Sequence, residues 1–188
     1  MRPPLLLSCA LLGLACTEDP ERVPACDERC EDGIAARALR ETLKLAYNLT
    51  LQANPVGEQD ESSECPLGGR ARVFGFATSN PLQGATEVDL TYELDRCAVF
   101  EIDEEANESY QMLFDGTLTQ TGIMAVQPSA TTALVMRSET MSLVGTVHDP
   151  PREYVALGCA VELGQNGNDL AGLLCERAVG VDLGGGPN

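Results

Sequence analysis

Eight cysteines and a single histidine are the residues of this 188-residue chain with the most distinctive chemistry. Six of the cysteines, Cys26, Cys30, Cys65, Cys97, Cys159 and Cys175, are spread through the body of the chain. In an exported protein an even number reads as a disulfide framework, here three bridges with 15 possible connectivities. Zinc is the competing use of clustered thiols. Only Cys26-x-x-x-Cys30 is a close pair, and an oxidising compartment favours disulfides. His148 stands beside Asp149, which could orient an imidazole, but no Gly-x-Ser-x-Gly nucleophile elbow accompanies it. A strand-end histidine exposed to solvent is the simpler reading. Glycoside hydrolysis needs two carboxylates, but with 29 acidic residues a pair somewhere carries no information. A phosphate-binding loop, a dinucleotide fingerprint and a metalloprotease helix motif are all missing from the sequence. Glu58, Asp60 and Glu61, and the acidic run 103–109, lack the spacing of a calcium loop and read as solvated loops. No catalytic residue, metal ligand or cofactor is assigned.

The other two cysteines belong to the N-terminus. Arg2 is followed by Leu5 to Leu14, an apolar run of ten residues, and then by small residues before Cys16. This is the pattern of a signal peptide. The run is well short of the roughly 20 residues a membrane-spanning helix needs, and Cys9 lies inside it. The quartet Gly13-Leu14-Ala15-Cys16 resembles the lipobox of bacterial lipoproteins. That resemblance implies that the Cys16 thiol is diacylglycerated, that the bond before it is cut, and that the new N-terminus is acylated. Thr17 rather than Asp follows, which by the enterobacterial sorting rule implies the outer membrane of a Gram-negative cell.

Cleavage before Cys16 removes one charge, Arg2, and leaves 11 basic residues against 29 acidic ones, a net charge of −18. A surface this acidic repels phosphate backbones, which excludes nucleic acid as a partner. It also repels anionic headgroups, so the membrane is reached through the N-terminal lipid and not through a protein face. Two or three acyl chains hold a protein to a bilayer far more firmly than one.

The elements that must position these cysteines follow from hydrophobic spacing. Residues 1–15 form the signal peptide and 16–32 a lipidated acidic tether. Over 33–54 apolar residues recur at intervals of three and four, from Ile34 through Leu39 and Leu43 to Leu49, an amphipathic helix with Asp32 as N-cap and Asn54-Pro55 as its end. Residues 54–64 are a polar loop. From 65 to 183 the period is two. Glu87 to Asp95 is the clearest strand, with Val88, Leu90, Tyr92 and Leu94 on one face and acidic or hydroxyl side chains on the other. Such alternation belongs to antiparallel sheets with one wet face.

Further strands are expected at Arg70 to Ser79 and Ser109 to Thr121, the latter interrupted at Asp115-Gly116 either by a turn that makes two shorter strands or by a bulge. Ala130 to Arg137 and Met141 to Val147 suggest a hairpin around Ser138 to Thr140. The last hairpin pairs Tyr154 to Leu163 with Leu170 to Leu183. Taking Gly167 as its apex puts Cys159 opposite Cys175, Leu157 opposite Arg177 and Val155 opposite Val179. Directly opposed Cβ atoms are about 4.5 to 5.5 Å apart, close enough for a bridge. Arg177 then falls on the apolar face and must reach an edge or a carboxylate.

Cys65 and Cys97 bracket the first hairpin and would staple its base. Cys26 and Cys30 pair by elimination, on one helical face or across a small loop. Residues 184–188 are a flexible tail. The fold class is mainly β: an antiparallel β-sandwich or partly closed barrel with one N-terminal amphipathic helix.

In outline the chain is also similar to small myxobacterial lipoproteins that carry paired glycines after one cysteine and a late Gly-x-x-Cys-x-Arg. The corresponding residues are Cys65, Gly68, Gly69, Gly172, Cys175 and Arg177. No activity comes with that similarity. The expectation is a membrane-anchored envelope lipoprotein whose disulfide-stabilised β-domain has a structural or protein-interaction role, with an envelope protein as partner. The alternative is a carrier of a small hydrophobic ligand or lipid, lined by Val88, Leu90, Tyr92, Met112, Phe114 and Leu118.

Overall fold

A single long helix, α1 (Glu28–Leu51), supplies one of the two layers of the domain. Asp27 caps it: its carboxylate accepts the Cys30 amide at 3.0 Å, satisfying one of the free donors of the first turn. Glu28 and Glu31 add negative charge where the helix dipole is positive. Asp32, Ala35, Ala36, Leu39, Thr42, Leu43 and Ala46 are buried, a stripe at intervals of three and four that faces the sheet. The alanines let the helix axis sit close to the strands. This computed structural model describes residues 26–51, 56–80, 85–103, 108–125 and 132–184. The expected signal peptide, Cys16 and most of the expected tether and tail lie outside them.

The other layer is one antiparallel sheet of eight strands in sequence order: β1 (Gly57–Glu64), β2 (Arg70–Asn80), β3 (Ala85–Asp103), β4 (Glu108–Ala125), β5 (Ala133–Val147), β6 (Arg152–Asn166), β7 (Asp169–Leu174) and β8 (Arg177–Asp182). Helix α1 touches both edge strands, β1 and β8, as well as β2, β4, β5 and β7. The sheet therefore curls around the helix without closing on itself. The expected mainly β, antiparallel fold with one helix is what the chain adopts, and the helix, not a second sheet, fills the inner side.

Three β-bulges govern which side chains reach the core. In β3 the register with β4 shifts between Leu94 and Cys97. Before the shift the even positions Val88, Leu90, Tyr92 and Leu94 are buried; after it the odd positions Cys97 and Val99 are. An extra residue in one strand reverses the phase of everything beyond it. The same happens in β5, where Leu134 and Met136 face in before the shift and Met141, Leu143 and Val147 after it. In β6 the phase changes around Gly158, between Tyr154 and Ala156 on one side and Val161 and Leu163 on the other.

These bulges account for several departures from the periodicity. Ser138 to Thr140 is a bulge inside one continuous β5, not the turn of a hairpin. Asp115-Gly116 is likewise no turn: β4 runs through it, and the register with β5 shifts between Gly116 and Thr119, as the bulge alternative has it. Cys97 lies within β3, which runs on to Asp103. Residues 57–64, read as a loop for their polarity, form the edge strand β1: an edge lying mostly in solvent needs few apolar side chains, and Gln59 alone of the eight is buried. The helix starts at Glu28 rather than 33, so the last part of the supposed tether belongs to the fold.

Candidate functional site

Most of the chemistry-bearing side chains converge at one end of the sheet, where the start of α1 meets the β5–β6 connection and the β7–β8 turn. The β7–β8 turn is a two-residue connection, Cys175-Glu176, with both residues left-handed (φ 52° and 67°), a geometry that matches the twist of the flanking strands. The region expected as one strand from Leu170 to Leu183 is thus a second hairpin. Its register with β6 is also one residue off the expected one: Val161 faces Leu174 and Leu163 faces Gly172. Leu157 and Val155 consequently do not oppose Arg177 and Val179.

The Cys159–Cys175 disulfide forms nonetheless, with a Cα–Cα distance of 4.9 Å, because Cys175 sits in the turn just past β7 and Cys159 just past the bulge of β6. The Cys175 amide donates to the Ala160 carbonyl at 2.9 Å. Cys65–Cys97 joins the turn before β2 to the bulge of β3 (Cα–Cα 5.4 Å), and Cys26–Cys30 closes the start of α1 (5.2 Å). Each bridge involving the sheet therefore ties a turn to a bulge.

Arg177 opens β8 and reaches the carboxylate its position demanded. Its Nε donates to Asp32 Oδ2 at 2.7 Å and its Nη2 to Asp32 Oδ1 at 2.5 Å. Tyr154 Oη donates to the same Oδ1 at 2.9 Å, and Glu28 stands 3.3 Å from Arg177 Nη1. Asp32 is 2% exposed, so it is no N-cap; it is a buried carboxylate saturated by three donated hydrogen bonds. Burial, reinforced by the Asp32 carboxylate, pushes the Tyr154 phenol well above its ordinary range. Hydrogen bonding to Asp32 holds Arg177 more firmly in its charged form.

The signal for Asp32 was present in the spacing: it lies three, four, seven and eleven residues before Ala35, Ala36, Leu39 and Leu43, on the apolar stripe. A carboxylate there needs a buried cation, and Arg177 was the residue needing a carboxylate.

Beside this cluster, Arg152 Nη1 donates to Glu31 Oε1 and to the Cys26 carbonyl, both at 2.8 Å. His148 lies at the end of β5 in the left-handed region (φ 70°). It is fixed to Ser109: its amide donates to the Ser109 carbonyl at 2.7 Å, and Ser109 Oγ donates back to its carbonyl at 3.0 Å. The side-chain sulfurs of Cys26 and Cys30 and a ring nitrogen of His148 all lie within 4.8 Å of one another.

The residues proposed to line an apolar cavity are packed into the core. Val88, Leu90, Tyr92, Met112, Phe114 and Leu118 are all at most 2% exposed and belong to the same core as the helix stripe. Tyr92 spends its hydroxyl on Gln120 Oε1 at 2.6 Å. A cleft of about 370 Å³ instead runs beside the helix, lined by Glu41, Lys44, Leu45, Asn48, Phe100 and Tyr110 among others. Tyr110 donates a short hydrogen bond to Glu101 there.

The outer face of the sheet carries a cross-strand apolar row. Ala98 pairs with Leu113, Leu113 with Val144, and Val144 with Val155. Val155 and Leu157, on the same strand, are 54% and 69% exposed. Two exposed carboxylates lie two residues along the same strands from the row, Asp115 from Leu113 and Glu153 from Val155. Arg72, held by Asp60 and Glu93, stacks over Phe74 on the same side.

Comparison of the chain with protein-family models, with curated proteins and with solved structures yields no match.

Proposed function

We propose that this protein is an envelope lipoprotein, anchored by a diacylglycerated Cys16 and presenting a rigid β-domain for a structural or protein-interaction role at the outer membrane. The observation that carries the reading is the disposition of cysteines. All six that follow Cys16 are consumed in three disulfides, which suits an oxidising compartment; of the other two, Cys9 lies within the expected leader and Cys16 stands at the lipobox-like position.

The filled core favours an interaction role over the carrier: the helix occupies the inner side of the sheet that a lipid would need. The partner that fits is an envelope protein bearing apolar side chains in a basic surround, since the row ending in Val155 and Leu157 is bordered by carboxylates on a strongly acidic domain. Fractionation tests the anchor. The native chain partitions with membranes and stays there in high salt, whereas a chain whose residues 1–16 are replaced by an ordinary cleavable secretory signal without the cysteine is released. Such a chain, correctly cleaved yet still membrane-bound in high salt, overturns the proposal.

A further inference from the structure

The Cys26, Cys30 and His148 cluster offers a chemistry that neither the anchor nor the fold requires. The sequence brings the two cysteines to one end of α1, four residues apart. The histidine arrives from the far end of β5, in a backbone conformation held on both sides by Ser109. Cys26 is buried while Cys30 and His148 are half-buried, so the group is accessible from solvent on one side. Two sulfurs and an imidazole nitrogen within 4.8 Å are a soft, three-donor set, the kind that zinc takes in sites that keep one position open.

We propose that reduction of the Cys26–Cys30 disulfide converts this cluster into a zinc site, with Cys26 Sγ, Cys30 Sγ and one ring nitrogen of His148 as ligands and water in the fourth position. The conversion is a two-electron step. A dithiol reductant delivers two electrons and two protons to the bridge and leaves as its own disulfide; zinc then displaces the two thiol protons. A disulfide oxidant reverses both steps: the two sulfurs take up two protons as the ion leaves, then pass two electrons and those protons to the oxidant, which departs as its dithiol.

Zinc–sulfur bonds of about 2.3 Å at a tetrahedral angle put the two sulfurs about 3.8 Å apart. Cutting a bond between residues four apart allows that separation while Asp27 and Arg152 still hold the backbone on either side. The negative charge of the two thiolates also lies at the end of the helix dipole that favours it. The neighbouring Arg152 is already engaged by Glu31.

Cobalt is the spectroscopic probe and zinc the competitor. The full mature chain, reduced with a dithiol that is then removed without air, is titrated with cobalt and back-titrated with zinc; the unreduced chain is the control. The expected result is one ion per chain in the reduced protein only, with a thiolate-to-cobalt absorption band that zinc abolishes. Affinity should fall at least tenfold in His148→Asn, chosen because asparagine tolerates the left-handed backbone, and binding should vanish in the Cys26→Ser, Cys30→Ser double variant. Equal affinity in His148→Asn, undiminished binding in the double variant, or no binding by the reduced chain would each overturn the proposal. Circular dichroism of each variant establishes that the fold is retained.

Discussion

Asp32 and Arg177 stand 145 residues apart in the chain, yet their two-point ion pair fastens the first turns of α1 to the first residue of β8. The helix enters the fold before any strand and β8 completes it, so this contact joins the beginning of the domain to its end. The two partners are unequally buried: the Asp32 side chain is 3% exposed, that of Arg177 41%.

That asymmetry sets the order of mutational effects. Arg177→Ala strands a buried carboxylate with Tyr154 as its one remaining donor and should cost about 3 kcal/mol. Asp32→Asn removes the charge but keeps an acceptor, and the arginine can turn toward water, so about 1 to 2 kcal/mol is expected. Denaturant unfolding of the two variants checks the order; a larger loss in Asp32→Asn would show that the cation, not the carboxylate, is the stranded group.

The four tyrosines of the chain give a pH prediction. Burial is the leading cause that raises each phenol, Tyr47, Tyr92, Tyr110 and Tyr154, above its ordinary value. A group whose folded pKa exceeds its unfolded pKa stabilises the fold fully below the unfolded value, about 10 for tyrosine, and that contribution is lost as pH rises beyond it. Stability should therefore be insensitive to these groups at neutral pH and should fall above about pH 10. Phenolate absorbance should appear together with loss of the far-ultraviolet β signal. Four phenols that ionise near pH 10 in a chain still folded would contradict their burial.

Gly69 tests the turn at Cys65. Its φ is 79°, and a Cβ there would lie 1.9 Å from the Arg96 carbonyl in the bulge of β3. Its own carbonyl accepts the Cys65 amide at 3.1 Å. Gly69→Ala should thus destabilise the domain by several kcal/mol, whereas Gly68→Ala, at φ 111° with open space around the added carbon, should cost less. Similar melting temperatures for the two would contradict the close approach.

The bridges themselves should contribute unequally. In the chain-entropy model the Cys65–Cys97 loop (separation 32) contributes about 3 to 4 kcal/mol, and Cys26–Cys30 (separation 4) about 2. Serine replacement of each pair followed by thermal unfolding gives the ranking. Loss of Cys26–Cys30 as the most damaging change would mean that the start of α1 is held by its bridge and not by Asp27, Arg152 and Arg177.

Period-two patterning made the antiparallel strands and their wet face legible wherever one phase persisted, as from Val88 to Leu94. It misled where a bulge reversed the phase: in β5 a change of parity at Ser138 to Thr140 looks the same in sequence as a turn. The cysteine pairs could be read even though the register of the last hairpin could not. A disulfide needs Cα atoms only within about 7 Å, and a slip of one residue leaves Cys159 and Cys175 inside that range. Asp32 was misplaced because a helix-starting carboxylate and a buried one are the same residue type; only its spacing to Leu39 and Leu43 separates them. The edge strand β1 lacks an apolar face altogether, so no periodicity could reveal it.

Peptide-level mass spectrometry of the unreduced protein, extracted from its native membrane, tests the proposed anchor at Cys16. The expected chain begins at Cys16 and carries acyl mass on that residue, with the Cys26–Cys30, Cys65–Cys97 and Cys159–Cys175 crosslinks intact. A chain that begins elsewhere, or an unmodified Cys16, would contradict it.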